Sequence, residues 1–217
     1  MLSFTVGDRI LPTVGTLLMF IAVGSSLLWS FTRLPSGVNF ARHTTLVAQV
    51  SPFLLLAFAF IFDLESLDLV SRYGGADLPI LYRLSAVWGG RSGPLLLWAA
   101  IMGVITWIMS GKNASNSHEV RLMHGAIVMI LLASWLLSPF AKSSGFIGTL
   151  NPLLQTDLMV IHPPLVFAYY SLCMAVSSIA LAGLIERRTP EYIHNSMLHW
   201  ARAGFLIGTI GIGLGGL

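Results

Sequence analysis

The sequence predicts an all-α polytopic membrane protein, a bundle of about six transmembrane helices. Three observations predict it. Of its 217 residues, 55% are hydrophobic and only 10% are charged, and the mean hydropathy is +0.80, well outside the range of a water-soluble domain. Six runs are apolar and nearly uncharged over lengths close to the roughly 20 residues that cross a bilayer as a helix. No run alternates with the period of two that a barrel strand needs. In hydrocarbon every backbone N–H and C=O must be paired internally, which a helix achieves by itself.

The first span covers residues 10–31. Ile10 to Gly24 has the length of a signal-peptide core, with Ala22-Val23-Gly24 as a weak cleavage site, but Asp8 beside Arg9 spoils a basic leader, so an uncleaved helix is expected. A tight turn from Arg33 to His43, with Pro35 and Gly37, leads into the second span, residues 44–62. The connection from Asp63 to Gly93 is the long one. It sets Asp63, Glu65, Asp68 and Asp77 against Arg72, Arg83 and Arg91, and it ends in Trp88-Gly89-Gly90, where glycine permits a tight turn. Tyr73, Tyr82 and Trp88 suit either an interfacial anchor or a docking surface. The third span, 94–110, and the fourth, 122–140, flank a polar link rich in Asn and Ser.

The fifth span, 158–185, is longer than one crossing needs and holds Pro163 and Pro164 near its beginning. Proline lacks the N–H, has a fixed φ and pushes its predecessor out of the α region, so His162 is expected at a helix start or kink, near one membrane boundary. The sixth span, 198–217, carries Gly204, Gly208, Gly211, Gly213, Gly215 and Gly216. Gly204 with Gly208, and Gly211 with Gly215, are small-xxx-small pairs that predict close approach of another helix. No soluble domain, repeat or low-complexity tract interrupts this plan.

The net charge of +3 and pI near 9.4 come from Lys and Arg scattered through short loops, without the basic stripe that nucleic acid requires. With the N-terminus outside, seven of them fall in inside segments (Arg33, Arg42, Lys112, Arg121, Arg187, Arg188, Arg202) and five outside (Arg9, Arg72, Arg83, Arg91, Lys142). The bias favours both termini outside. Cys173 is the single cysteine, so the chain has no intramolecular disulfide, thiol relay or CxxCH haem attachment site; it reads as a small packing residue.

Among six histidines, His162 and His124 lie within spans. An intramembrane imidazole is costly enough to suggest a function, and haem iron commonly takes histidine as an axial ligand. His162 reads either as such a ligand or as a polar helix-start residue. His124 falls near the opposite side and reads as a hydrogen-bonding or snorkelling residue. His43, His118, His194 and His199 read as solvated surface, and no histidine spacing fits a zinc set.

Two strings carry a family resemblance. LNPLLQ, a short spacer and IHPPL with a following Tyr (Leu150 to Tyr170), and LPILYRLSAVWGGRSGPLLLW (Leu78 to Trp98), resemble the CcmF family of cytochrome c-type biogenesis proteins, the membrane haem lyases of the Ccm system. The strings stand in family order and at about family spacing. The chain departs from the family after WGG, where Arg91, Ser92, Gly93 and Pro94 replace a His-Glu-Gly-Ser type sequence.

The resemblance implies that His162 is an axial ligand of a b-type haem, which passes electrons from quinol to keep incoming haem iron reduced. It also implies thioether formation between haem vinyl groups and the CxxCH thiols of an apocytochrome c. Its implied partners are the haem chaperone CcmE and a CcmH-type subunit. The family's Trp-rich WWD domain and the second ligand of the b-type haem lie beyond the Gly-rich helix. The chain is therefore expected to be the N-terminal part, residues 1–217, of a split or truncated CcmF that shares haem b with a C-terminal CcmF partner. The implied location is the inner (cytoplasmic) membrane of a bacterium, or an organellar one, with both termini periplasmic. Two rival readings are a non-catalytic docking subunit of the Ccm complex and, with less support, half of a small-molecule transporter, since no inverted repeat is seen.

Overall fold

A computed structural model describes residues 7–31, 39–111 and 117–216. Most of the turn between the first two spans and residues 112–116, with Arg33 and Lys112, lie outside the described residues. The described chain is helical throughout its spans: α1 (Gly7–Phe31), α2 (Asn39–Ile61), α3 (Asp68–Tyr73), α4 (Ile80–Ser85), α5 (Ser92–Met109), α6 (His118–Leu136), α7 (Asp157–Ile185) and α8 (Pro190–Gly215). Six of these are long and apolar enough to cross a bilayer, as the composition predicts. The protein is a multi-pass membrane protein.

The spans divide into a tight core and an appendage. Helices α1, α2, α5 and α6 pack in a ring, α7 lies across α5 and α6, and α8 leans on α7. Leu56, Phe60, Met102, Met123, Ile127 and Leu131 fill the ring interior. Phe20, Leu28, Leu54, Met129 and Phe205 point outward, where lipid is as apolar as the side chain, so outward placement costs little. Association must instead come from close packing and from internal hydrogen bonds.

Two polar faces bound the bundle. At one end Arg121 donates to the carbonyl of Ser30 and Arg42 to Ser110 Oγ and the carbonyl of Trp107, tying the ends of α1 and α5 to the starts of α2 and α6. At the other, the long connection folds into α3, α4 and a 3-10 turn at Ala86–Gly89, and pairs with the segment before α7. Asp68 N–H donates to Ala141, Ser143 N–H to Ser66 and Gly148 N–H to Ser71. The turn itself needs glycine: a Cβ at Gly93 would stand 1.9 Å from the Val87 carbonyl oxygen.

Several helix limits differ from those the apolar runs predict. Helix α8 begins at Pro190, eight residues before the apolar run, because Thr189 Oγ1 accepts the Tyr192 N–H and proline suits the first helical position. Helix α6 stops at Leu136, short of Phe140, where Ser138 takes φ +50° and Pro139 follows. Helices α2 and α6 start earlier than predicted, at Asn39 and His118, because a helix continues past the hydrocarbon edge into polar surroundings.

The largest difference concerns the double proline. Helix α7 begins at Asp157, one residue before the predicted span, so Pro163 and Pro164 lie inside it and His162 is a helical residue in its second turn, which removes the helix-start alternative and leaves that of a kink. Proline leaves the carbonyl four residues earlier without its helical donor, and in hydrocarbon a donor from elsewhere can take the place of the lost one. In α2, Pro52 frees the Ala48 carbonyl and the neighbouring Ser51 hydroxyl fills it at 3.2 Å. In α7, Pro163 frees the Met159 carbonyl and the Trp88 indole N–H fills it at 2.5 Å.

Candidate functional site

His162 lies between two supports. Its Nδ1 is 3.0 Å from the carbonyl oxygen of Gly211 in α8. A carbonyl can only accept, so Nδ1 carries a proton, and in the neutral ring Nε2 is then the nitrogen with the lone pair. Among the described residues no hydrogen bond reaches Nε2. The ring lies against Gly215, where a Cβ would stand 2.6 Å from His162 Cε1 and 3.3 Å from each ring nitrogen.

That cradle follows from the glycine stripe of α8. Gly204 meets Leu172, Gly208 meets Tyr169, Gly211 meets Leu165 and Val166, and Gly215 meets His162, so the two predicted small-xxx-small pairs form one continuous seam along α7. At Gly208 the fit is as close as at Gly215, with a Cβ position 2.6 Å from Tyr169 Cδ2. Gly213, on another face, has nothing within 4 Å. Close backbone approach is what brings the Gly211 carbonyl within reach of the imidazole.

Both family-like strings converge on the same end of α7. Tyr82 donates its hydroxyl proton to Asp157 Oδ1 at 3.2 Å, which raises the Tyr82 pKa, since the carboxylate favours the protonated phenol. Trp88 holds the Met159 carbonyl. Leu150 is buried against Gly89 of the WGG turn, and Gln155 Nε2 donates to the Leu150 carbonyl. Asn151 Oδ1 accepts the Leu153 N–H and so shapes the Asn-Pro turn. Of the two readings of this loop, the anchor and the docking surface, the geometry adds a third element: it braces the start of α7.

The other histidines are placed apart from His162. His124 is buried in the ring, where Gln49 Nε2 lies 3.0 Å from its Nδ1 and 2.8 Å from Ser26 Oγ. Trp29 stacks on it at 5.6 Å and donates to Thr45 Oγ1. An amide nitrogen only donates, so Nδ1 of His124 is the acceptor. The expected hydrogen-bonding role holds, and snorkelling does not occur. His118 departs from the solvated-surface reading: its Nδ1 lies 2.7 Å from Glu186 Oε1, and Arg188 Nε meets Glu186 Oε2 at 2.9 Å. These two partners hold the Glu186 carboxyl below its ordinary pKa. His43, His194 and His199 are exposed, and His43 lies beside Trp107. Cys173 is exposed as well, facing away from the core, so it is not the packing residue the composition suggests.

The residues present fit an axial ligand of iron in one respect: an imidazole with a fixed tautomer and an available Nε2 is the donor such a metal takes, and a carbonyl partner on the other nitrogen is the usual orienting device. Among the described residues no group of three or more His, Cys, Asp and Glu side chains comes together as a metal-ion set. His162 and His124 share no neighbour among the residues described above.

The chain is similar to known proteins over most of its length. The chain is 27% identical to the cytochrome c-type biogenesis protein NrfE of Haemophilus influenzae, over 94% of this chain and 35% of that protein. It is 26% identical to the cytochrome c-type biogenesis protein CcmF of Escherichia coli, again over 94% of this chain and 35% of the relative. With the biogenesis protein ccl1 of Rhodobacter capsulatus the identity is 32%, over 75% of this chain and 26% of that protein. The chain thus spans about a third of the length of the first two relatives. No solved structure matches it. The sequence model of the cytochrome c assembly protein family matches residues 88–217, which begin at the tryptophan that holds α7 and take in both His162 and its glycine cradle, and the chain belongs to that family.

Proposed function

We propose that this chain takes part in attaching haem to apocytochrome c at the outer face of a bacterial inner membrane, as the N-terminal part of a CcmF-type haem lyase. The observation that carries the reading is the imidazole of His162, oriented through Nδ1 by the Gly211 carbonyl with Nε2 left available. His162 would hold haem b, the iron porphyrin bound without a covalent bond, through its Nε2. The second ligand and the attachment centre come from a C-terminal CcmF partner, whether fused or separate. CcmE as haem donor, a CcmH-type subunit as apocytochrome carrier and quinol as reductant are the partners this reading requires.

The chain's own residues hold and orient the ligand. The Gly211 carbonyl fixes the ring and its tautomer, and the missing side chain of Gly215 leaves room for it. Helix α7 starts at Asp157 and rises about 1.5 Å per residue, so His162 lies roughly 7.5 Å from the start of the helix. That depth favours haem held near the membrane boundary over haem at mid-span. Haem b would supply a redox-active iron that an imidazole binds, and the separate incoming haem carries the vinyl groups to which cysteine thiols add. Each thioether adds a cysteine S–H across a vinyl C=C, so the attachment itself consumes no oxidant.

The test is the haem spectrum of the chain together with its C-terminal partner. His162→Ala is expected to lose the six-coordinate spectrum, and His124→Ala to keep it. Retention in His162→Ala with loss in His124→Ala would overturn the assignment, and a complete six-coordinate spectrum from the isolated chain would refute the shared ligand set.

A further inference from the structure

We propose that Trp88 is a positioning residue for His162, holding the first turns of α7 in the one arrangement that aims the imidazole; the inference rests on reading His162 as a haem ligand. It starts from the backbone. In an unbroken helix the N–H of residue 163 would donate to the Met159 carbonyl, and proline has no N–H to give. The carbonyl so freed lies three residues before His162, in a segment where an unpaired polar group is costly. Trp88 has a single donor and no acceptor, and it spends that donor on this carbonyl at 2.5 Å.

The contrast with Pro52 shows that the arrangement is not forced by proline alone. There a serine in the same helix supplies the donor, so α2 repairs itself. Helix α7 is repaired from another element, 71 residues away in sequence, and this makes the direction of the helix depend on the WGG turn. The turn in turn is fixed: Gly90 would place a Cβ 2.9 Å from Leu69, Gly93 one within 1.9 Å of the Val87 carbonyl oxygen, and Gly89 packs on Leu150 and Tyr73. Tyr82 adds a second bond to Asp157 at the first residue of α7. The two motif strings therefore act as one device, with the first bracing the helix on which the second carries its imidazole. A mere anchor in the interface would leave the indole N–H to water or lipid headgroups.

A cycle of substitutions in the full complex tests this, because the proposal assigns Trp88 one job that proline creates. Trp88→Phe keeps the ring and deletes the donor; Pro163→Ala restores the helical N–H. Amide hydrogen exchange over residues 158–166 and the ferric haem spectrum are read for each single variant and for the pair. Trp88→Phe is expected to speed exchange in that segment, move the haem towards a high-spin form and weaken haem binding by about tenfold, the loss usual for a residue that orients a metal ligand. In the Pro163→Ala background Trp88→Phe should change none of the three. Trp98→Phe is the control, since its indole nitrogen is buried without a hydrogen-bond partner among the described residues.

Unchanged exchange and spectrum in Trp88→Phe, or equal effects with and without Pro163, would overturn the proposal. If Trp88→Phe alone fails to fold, recovery in the Pro163→Ala background supports it and failure in both overturns it. Faster exchange with unaltered haem binding overturns positioning and leaves a structural role only. His162→Gly with added imidazole separates the two readings: a haem spectrum indifferent to this substitution sinks the ligand assignment, while the exchange cycle still reports on the clamp.

Discussion

At the scale of single residues, the chemistry depends on which hydrogen bonds are directional. His162 and His124 are both intramembrane imidazoles, yet a carbonyl faces Nδ1 of one and an amide NH2 faces Nδ1 of the other, so their tautomers are opposite. Gly215→Ala would put a methyl group 2.6 Å from His162 Cε1 and turn the ring. We expect haem binding by the complex to fall in Gly215→Ala and to stay unchanged in Gly213→Ala, whose surroundings are open; equal titration curves would contradict the cradle. Gln49→Leu should cost about 1–3 kcal/mol, because it leaves His124 and Ser26 unpaired in the core, and thermal unfolding in detergent measures it. The Glu186 carboxyl, bonded by His118 and Arg188, has a folded pKa below its ordinary value of 4.5. Its contribution is therefore complete above about pH 4.5 and lost as pH falls through the lower, folded value. As pH falls from about 4.5 through the lower, folded value, the unfolding midpoint of the unaltered protein should drop more than that of Glu186→Gln.

At the scale of elements, α7 and α8 form a hairpin whose seam is made of missing side chains. A Cβ at Gly208 meets the Tyr169 ring close to its root, where the ring cannot swing away, so Gly208→Val should destabilise the hairpin by roughly 1–3 kcal/mol through overpacking. Val at Gly213 is expected to have a much smaller effect, and limited proteolysis of the Arg187–Thr189 connection would compare them. The glycine spacing makes this seam legible in sequence, since small residues four apart stack on one helix face. The run of α7 from Leu158 onward was legible as an apolar span, but the donor that carries it through its first proline was not. A proline predicts a helix boundary because the freed carbonyl is normally unsatisfied, and the donor that satisfies Met159 lies far off in the chain. Hydropathy likewise found the apolar part of α8 but not its first eight residues, which are helical because Thr189 and Pro190 start the helix.

At the scale of the whole molecule, antiparallel neighbours put the WGG turn, the Asn-Pro turn and His162 on one face, with Arg42, Arg121 and Arg188 on the other. The excess of basic residues on the second face predicts that it lies inside. A reporter inserted in residues 112–116 should then read as internal and one in residues 143–147 as external, and the reverse pattern would invert the topology and with it the placing of haem outside. The sequence by itself determined that the chain is a membrane helix bundle, where its six apolar runs fall, and that α8 would pack through glycine. These follow from composition and local spacing, because the cost of leaving backbone and charge in hydrocarbon is set residue by residue. Only the tertiary structure decided which donor replaces the one that Pro163 lacks, that a carbonyl of α8 faces the His162 imidazole, and that the two motif strings meet. Those depend on donors and acceptors brought together across 49 to 75 residues of chain, and no local pattern encodes such a pairing.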